Sequence, residues 1–265
     1  MSVTLAATFN PRGETGRLLR LYPQFHAVYD EIVISMPPHA NGADVDQVQA
    51  LPDVTAWVNE TWPQGRYMAL KQAYDNGAQA IHYADMDRLL RWTETRPAEW
   101  RETVAQVAGS DCLVIGRTPA AWATHPQALA HTEKISNTVF SRLLGQDLDL
   151  SAGSKGFSRA AVEVILANCR PTRALGADSE WIMVLQRAGF QIDTVLVDGL
   201  DWETADRYAD AAADDDKQRE AAIRYDADPD HWAMRVGVAQ EIVEAGLDAM
   251  VRPLVAVKEK QGEDH

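Results

Sequence analysis

Along the chain, short unbroken apolar runs alternate with longer segments whose apolar residues recur at three- and four-residue spacing. The runs VTLAATF (3–9), EIVISM (31–36), VTAWVN (54–59), AQAIHYAD (78–85), DCLVIGRT (111–118) and FQIDTVLVD (190–198) predict β-strands. The intervening segments predict helices: GETGRLLRLYPQF, GRYMALKQAYDNGA with its glycine stop at Gly77, PAEWRETVAQVAGS, HPQALAHTEKISNTVFSRLLG, SRAAVEVILAN and DSEWIMVLQRAG. Strands separated by helices of this length indicate a largely parallel sheet covered on both faces, an α/β class. After about residue 200 the pattern changes. ADAAADDDKQREAAIRYDADPDHW is acidic and alanine-rich with no strand signal, and MRVGVAQEIVEAGLDAMVRPLVAV reads as one amphipathic helix ending near Pro253. The expected organisation is one α/β domain over 1–200 and a helical C-terminal extension over 201–265, with KEKQGEDH frayed at the end.

The bulk numbers narrow the function without naming it. A chain of 265 residues buries a core without staples. A formal charge of −14 excludes an extended nucleic-acid surface, which needs clustered Lys and Arg. Small anions stay open, because a local cationic pocket or a bound metal reverses the field at a site. The two cysteines, Cys112 and Cys169, lie far apart and outside any C-x-x-C pair, so they read as buried, reduced thiols of a cytoplasmic protein. No apolar run approaches the roughly 20 residues of a membrane span, and MSVTLAATFN lacks the pattern of a signal peptide.

Candidate chemistry centres on YADMD, where an apolar strand stops at Asp85 and Asp87. The triplet alone says little, since the chain has six Asp-x-Asp triplets, the others at Asp44/Asp46, Asp147/Asp149, Asp214/Asp216, Asp226/Asp228 and Asp228/Asp230. Position separates them. Ligands of open α/β sheets bind beyond the carboxyl ends of the strands, and only Asp85/Asp87 follow a strand apolar enough to be central. A carboxylate pair there suits a hard cation such as Mg²⁺ or Mn²⁺, with diphosphate oxygens completing the shell. The plain alternative is a strand-to-helix cap, with Asp accepting backbone N–H bonds. The later acidic triplets read as solvated charge.

Four blocks in order, LAATFNPRGETGRLLRLYPQF, GRYMALKQAYDNGAQAIHYADMD, EKISNTVFSRLLGQDLDLSAGSKGFSRAAVEVI and GADSEWIMVLQRAGFQIDTVLVD, resemble the GT-A glycosyltransferases over roughly residues 3–200. Within that group the chain is most similar to the polyprenyl-phosphate mannosyltransferase-like and the soluble glycerate or phosphoglycerate glycosyltransferases. The resemblance implies a metal-dependent transfer of a sugar from a nucleotide-diphosphate sugar to a hydroxyl of a small soluble acceptor. It implies Mg²⁺ or Mn²⁺ as cofactor, with a homodimer a possible assembly. Thr8, Phe9, Asn10 and Glu14 would line the nucleobase and ribose pocket, Gly65 and Arg66 would face the donor, and Asp85 would hold ribose or sugar. Asp87 would be the direct metal ligand, and His231 from the C-terminal segment would complete the metal site. Arg117, Gly153, Ser154 and Lys155 would lie on the acceptor side, and Asp178 or Glu180 would serve as general base.

Each role has a structural counterpart. Arg66 can serve surface charge, Arg117 is a lone arginine at a strand end, Gly153 and Gly156 can be turn glycines needing positive φ, with Gly156 the better case. Asp178 and Glu180 can favour a helix N-terminus, and His231 can pack beside Trp232. The second strand ends ISMPPHAN, where many relatives of this type carry a base-reading aspartate, so the base stays open between uracil and guanine. Two other classes remain: a nucleotidyltransferase, for which NPRGETGR is a weak glycine-rich loop, and a non-catalytic sugar-nucleotide-binding relative.

Overall fold

The structure, a computed structural model, describes residues 2–256; the tail expected to fray lies outside the described residues. The predicted strands form as β1 (Thr4–Thr8), β2 (Glu31–Met36), β3 (Val54–Val58), β4 (Ala80–Asp85) and β5 (Cys112–Arg117), and the last of them follows a strand that was not predicted, β6 (Ser154–Ser158), as β7 (Ile192–Val197). All seven join one sheet in the order β3-β2-β1-β4-β6-β5-β7. β6 runs antiparallel to both β4 and β5, and every other pairing is parallel. The sheet is therefore mostly parallel, as the strand–helix alternation implied.

Ser154 and Lys155, expected on the acceptor side, begin the interior strand β6, SKGFS. Its sequence hides this because its burial is polar. Ser154 Oγ pairs with His82 Nε2 at 2.8 Å, and Lys155 Nζ donates to Leu150 O at 2.8 Å and Asp178 Oδ1 at 2.7 Å. Gly156 is not a positive-φ turn residue. It lies in β6 opposite His82 and Leu113, and an added Cβ would stand 2.8 Å from Val107 Cγ2, so close packing requires it.

Residues alternate across the sheet into two apolar layers. Leu5, Ala7, Ile34 and Ile115 face one layer with α1 (Thr15–His26), α2 (Gly42–Gln49), α4 (Met86–Thr95) and α5 (Pro97–Val107). Ala6, Val33, Ile81 and Val114 face the other, with α3 (Gly65–Asp75), α7 (Gln127–Leu144), α8 (Arg159–Asn168) and α9 (Ala177–Arg187); α6 is the short turn Pro119–Trp122. α1 illustrates the logic: Leu18, Leu21 and Phe25 recur at helical spacing and are its buried apolar face. His82, on the central strand β4, is held by Tyr29 Oη at 2.7 Å as well as by Ser154, and burial pushes its pKa down to about 3. Cys112 and Cys169 are buried and unpaired.

The segment after β7 is more structured than its composition suggested. It contains α10 (Asp215–Asp226) and the long α11 (Pro229–Val251), which ends two residues before Pro253. Asp214 and Asp228 cap these helices, accepting from Lys217 N and Asp230 N at 2.9 Å each. Asp226 accepts from Gln127 N and Ala128 N at the start of α7. Asp214, Asp216, Asp228 and Asp230 are exposed, as solvated charge, and Asp214 and Asp228 cap helices as well. α11 packs on α7 and α9, where Gly246 lets the helix approach Phe140 closely. Among the described residues, no helix is long and apolar enough to cross a membrane.

Candidate active site

The carboxyl ends of β1 and β4 lie side by side, with Thr8 directly opposite Asp85. Because β6 is antiparallel, its first residues arrive at the same end, and Asp85 N donates to Gly153 O at 2.9 Å. Gly153 is required twice over: its φ is +69°, and a Cβ would fall 2.5 Å from Asp85 Oδ2. The Asp85 carboxylate is fixed by three donors, Thr8 Oγ1 at 3.0 Å, Tyr83 Oη at 2.6 Å and Arg66 Nη2 at 2.7 Å. Asp85 occupies the N-cap position of α4, yet its side chain makes no capping bond. Capping therefore does not account for it.

Asp87 sits in the first turn of α4. Its Oδ2 accepts from Arg12 Nη2 at 2.8 Å and its Oδ1 from Arg88 N at 2.9 Å. Burial, reinforced by the carboxylates of Glu203 and Asp85, pushes its pKa up to about 6 despite Arg12 and Arg88. Glu203 is buried where Asp87 is half-buried, but Arg88, with Nε 3.9 Å away, holds the Glu203 pKa down. Glu203 Oε2 has no hydrogen-bond partner among the described residues. That unpartnered Glu203 oxygen, close enough to Asp87 to raise its pKa, leaves a carboxylate lone pair free for a ligand. Hard carboxylate oxygens are the donors that Mg²⁺ and Mn²⁺ take, usually one or two of them with substrate phosphates supplying the rest. The residues present fit such an ion on that basis, although no set of three His, Cys, Asp or Glu among the described residues forms a closed metal cage.

These groups line a cleft of about 260 Å³. At one end it is neutral and aromatic, with Phe9, Ser35, Asn59 and a half-exposed Trp62. The Asn59 amide is held by donation to Ser35 Oγ and to Met36 O and by acceptance from Trp57 Nε1 at 3.0 Å. At the other end five arginines, Arg12, Arg66, Arg88, Arg207 and Arg235, surround the three carboxylates Asp85, Asp87 and Glu203. Arg88 is anchored by donation to Ala152 O at 2.6 Å. Arg235 pairs with Glu133, while its Nε is buried without a partner among the described residues.

Of the residues singled out in the sequence, the cleft brings together Thr8, Phe9, Asn10, Gly65, Arg66, Asp85 and Asp87. Gly153 touches Asp85 from behind, and Ser154 and Lys155 lie buried in β6. Glu14 is buried outside the lining, where its carboxylate accepts from Arg12 N and braces the Arg12 loop. Four expectations are not met by the placement. Asp178 lies buried between Lys155 Nζ at 2.7 Å and Arg66 Nη1 at 2.9 Å, which outweigh burial and hold its pKa down to about 2. A carboxylate so held is a poor general base at neutral pH. Glu180 is fully buried against Arg252, outside the cleft lining. Arg117 is saturated by Asp149, at 2.8 Å through both Nε and Nη2, and by Glu133 at 2.6 Å, with Trp122 3.5 Å beneath its guanidinium. His231 is stacked on Tyr225 at 3.9 Å with Nδ1 against Tyr225 O at 2.9 Å, and is not among the lining residues.

The residues missed in the sequence are Arg12, Arg88, Glu203, Arg207 and Arg235. One signal was available. β7 is parallel to β5, so DWETADR, which follows β7, emerges at the carboxyl end of the sheet where ligands bind. Arg235, the α11 residue that lines the cleft, lies one helical turn beyond His231.

A seven-stranded, mostly parallel sheet with one antiparallel interior strand, and an Asp-x-Asp at the end of β4, is the GT-A architecture. The chain shares this fold with glucosyl-3-phosphoglycerate synthase from Mycobacterium tuberculosis, solved in complex with Mn²⁺, UDP and phosphoglyceric acid. The TM-score is 0.54 and the identity 9%, over 95% of this chain and 79% of that one. Mannosyl-3-phosphoglycerate synthase from Rubrobacter xylanophilus is similar at a TM-score of 0.52 and 13% identity, over 74% of this chain and 65% of that one. No protein-family model matches the chain, and no curated protein matches its sequence.

Proposed function

We propose that the protein is a metal-dependent glycosyltransferase that moves a hexose from a nucleotide-diphosphate sugar to a hydroxyl of a small, soluble, acid-bearing acceptor in the cytoplasm. The observation that carries this reading is the cleft itself. In a chain of net charge −14, five arginines converge with Asp85 and Asp87 at the carboxyl ends of the strands, beside a neutral aromatic end. The neutral end suits a nucleobase, Trp62 offering a face for stacking, and the arginine-rich end suits phosphate groups. The fold neighbours, one solved with UDP, Mn²⁺ and phosphoglyceric acid, support UDP as the nucleotide and a phosphorylated hydroxy acid as the acceptor class.

In this reading Asp85, oriented by Thr8, Tyr83 and Arg66, accepts a hydrogen bond from a ribose or sugar hydroxyl, and Asp87 with Glu203 holds the divalent ion. When bound, the ion supplies Lewis-acid neutralisation of the departing diphosphate. Arg66 orients Asp85 while its other nitrogen is tied to Asp178, so it positions the donor side rather than moving a proton. Arg207 and Arg235 face the cleft beyond Asp87 and suit the anionic groups of the acceptor. Calorimetry with UDP- and GDP-sugars, each with and without Mn²⁺, tests the reading. Metal-dependent binding of one nucleotide sugar is the expected result, and its absence for all of them overturns it. Binding of a nucleoside triphosphate with pyrophosphate release would establish a nucleotidyltransferase instead.

A further inference from the structure

Arg12 combines three features that a static surface charge does not explain. Its Nη2 sits on Asp87 Oδ2 at 2.8 Å, on the carboxylate that would hold a divalent ion. Its Nε is buried with no hydrogen-bond partner among the described residues, so part of the guanidinium fork is unused. Its backbone, by contrast, is held on both sides: Arg12 N donates to the Glu14 carboxylate, and Arg12 O accepts from Tyr208 N at 2.8 Å. Gly13, with φ +93°, lets this loop approach Tyr208 so closely that a Cβ would lie 2.8 Å from Tyr208 Cα. Tyr208 itself adopts φ +61°, a conformation that a bulky residue takes only when its surroundings impose it. The loop backbone is thus held on both sides, while the one side-chain hydrogen bond of Arg12 among the described residues is the one to Asp87. The neighbouring Arg207 is another cation of the same cleft, disfavoured by burial and by the Arg12 charge.

A divalent ion brought onto Asp87 weakens the hold of a guanidinium on the same carboxylate, because like charges at contact distance repel strongly in a buried cleft. A guanidinium displaced from Asp87 needs a new anion, and its unused Nε and Nη form a fork that matches two oxygens of a diphosphate. We propose that Arg12 is an exchangeable counter-ion: it neutralises Asp87 in the metal-free protein and transfers to the donor diphosphate when the divalent ion takes its place. The proposal rests on the glycosyltransferase reading of the same cleft. Its consequence is a thermodynamic coupling. Metal binding frees Arg12 for the diphosphate, and the diphosphate draws Arg12 away from the metal ligand, so each ligand assists the other through this side chain.

The test is a four-cornered calorimetric cycle on the full chain: Mn²⁺ alone, UDP alone, and each in the presence of the other, for the wild type and Arg12→Gln. Loss of a fixed positive charge would strengthen Mn²⁺ binding and weaken UDP binding by the same factors in the binary and ternary states, leaving the coupling factor unchanged. The exchange predicts that the coupling factor itself falls about 10-fold in Arg12→Gln while Mn²⁺ alone binds more tightly. An unchanged coupling factor overturns the proposal and leaves the glycosyltransferase reading intact. No metal-dependent UDP binding in the wild type overturns both. If the variant does not fold, arginine side-chain NMR on the wild type decides: the Arg12 Nε–Hε resonance moves on adding Mg²⁺ and again on adding UDP, and a resonance indifferent to both overturns the exchange.

Discussion

Two glycines in nearly the same backbone conformation separate strain from function. Gly145, closing α7, has φ +71° with nothing within 4 Å of an added Cβ, whereas Gly153 has φ +69° and a Cβ would lie 2.5 Å from Asp85 Oδ2 and 3.2 Å from Arg88 Nε. Alanine at either position carries the left-handed cost of about 1 kcal/mol. At Gly153 the Asp85 carboxylate must also shift by several tenths of an ångström, which breaks its 2.7 Å bond to Arg66. A charge-assisted hydrogen bond lost in a buried setting adds about 2 kcal/mol. Gly145→Ala is therefore expected to cost about 1 kcal/mol and Gly153→Ala about 3 kcal/mol, which for a chain of this size is about 2 °C and about 6 °C in Tm. Denaturant unfolding followed by tryptophan fluorescence measures both, and calorimetry with UDP and Mn²⁺ measures the site. Gly145→Ala leaves ligand binding intact, and Gly153→Ala abolishes it. Equal stability losses with unchanged binding in both variants would refute the claim that Gly153 positions Asp85.

Three further outcomes are expected. Asp87→Asn lowers transfer about 10³-fold or more with no loss of unfolding free energy at neutral pH, because the raised pKa marks the charged carboxyl as unfavourable in the fold; an active variant refutes its role. Asp178 is held down to about 2 by Arg66 and Lys155, so its contribution of about 2 kcal/mol is present above its ordinary 3.8 and is lost as pH falls through the folded value. Asp178→Asn removes that acid limb from a plot of unfolding free energy against pH and, by leaving Lys155 and Arg66 uncompensated, costs about 3 kcal/mol at neutral pH. His231→Ala leaves Mn²⁺ affinity unchanged, since the ring is engaged by Tyr225; a tenfold loss in the titration would return the histidine to the site.

The central apolar strands β1, β2, β4 and β5 were legible because the sheet buries them on both faces. β6 was not, because Ser154, Lys155 and Gly156 satisfy their burial through His82, Asp178 and Val107, partners that only the folded chain brings near. The same limit applied to the site. Asp85 and Asp87 stood out by their place at a strand end, and Thr8 and Arg66 by the order of the blocks. Arg117 was read as free because its neutralising partners lie 16 and 32 residues away. Asp178 was read as a base because nothing in DSEW reveals that two cations flank it. Arg207 and Arg235 carried no local pattern, and they reach the cleft only because the segment after β7 folds back over the end of the sheet.

The contrast between the cleft and the rest of the surface has a consequence for kinetics. A substrate bearing several negative charges first meets the field of a molecule with net charge −14 and is slowed by it. Only within about 10 Å, the screening length at 0.1 M salt, does the excess of arginine over carboxylate in the cleft take over. Added salt therefore quickens arrival by weakening the outer repulsion and shortens residence by weakening the inner attraction. Association and dissociation rates both rise with ionic strength, and turnover at low substrate passes through a maximum at an intermediate salt concentration.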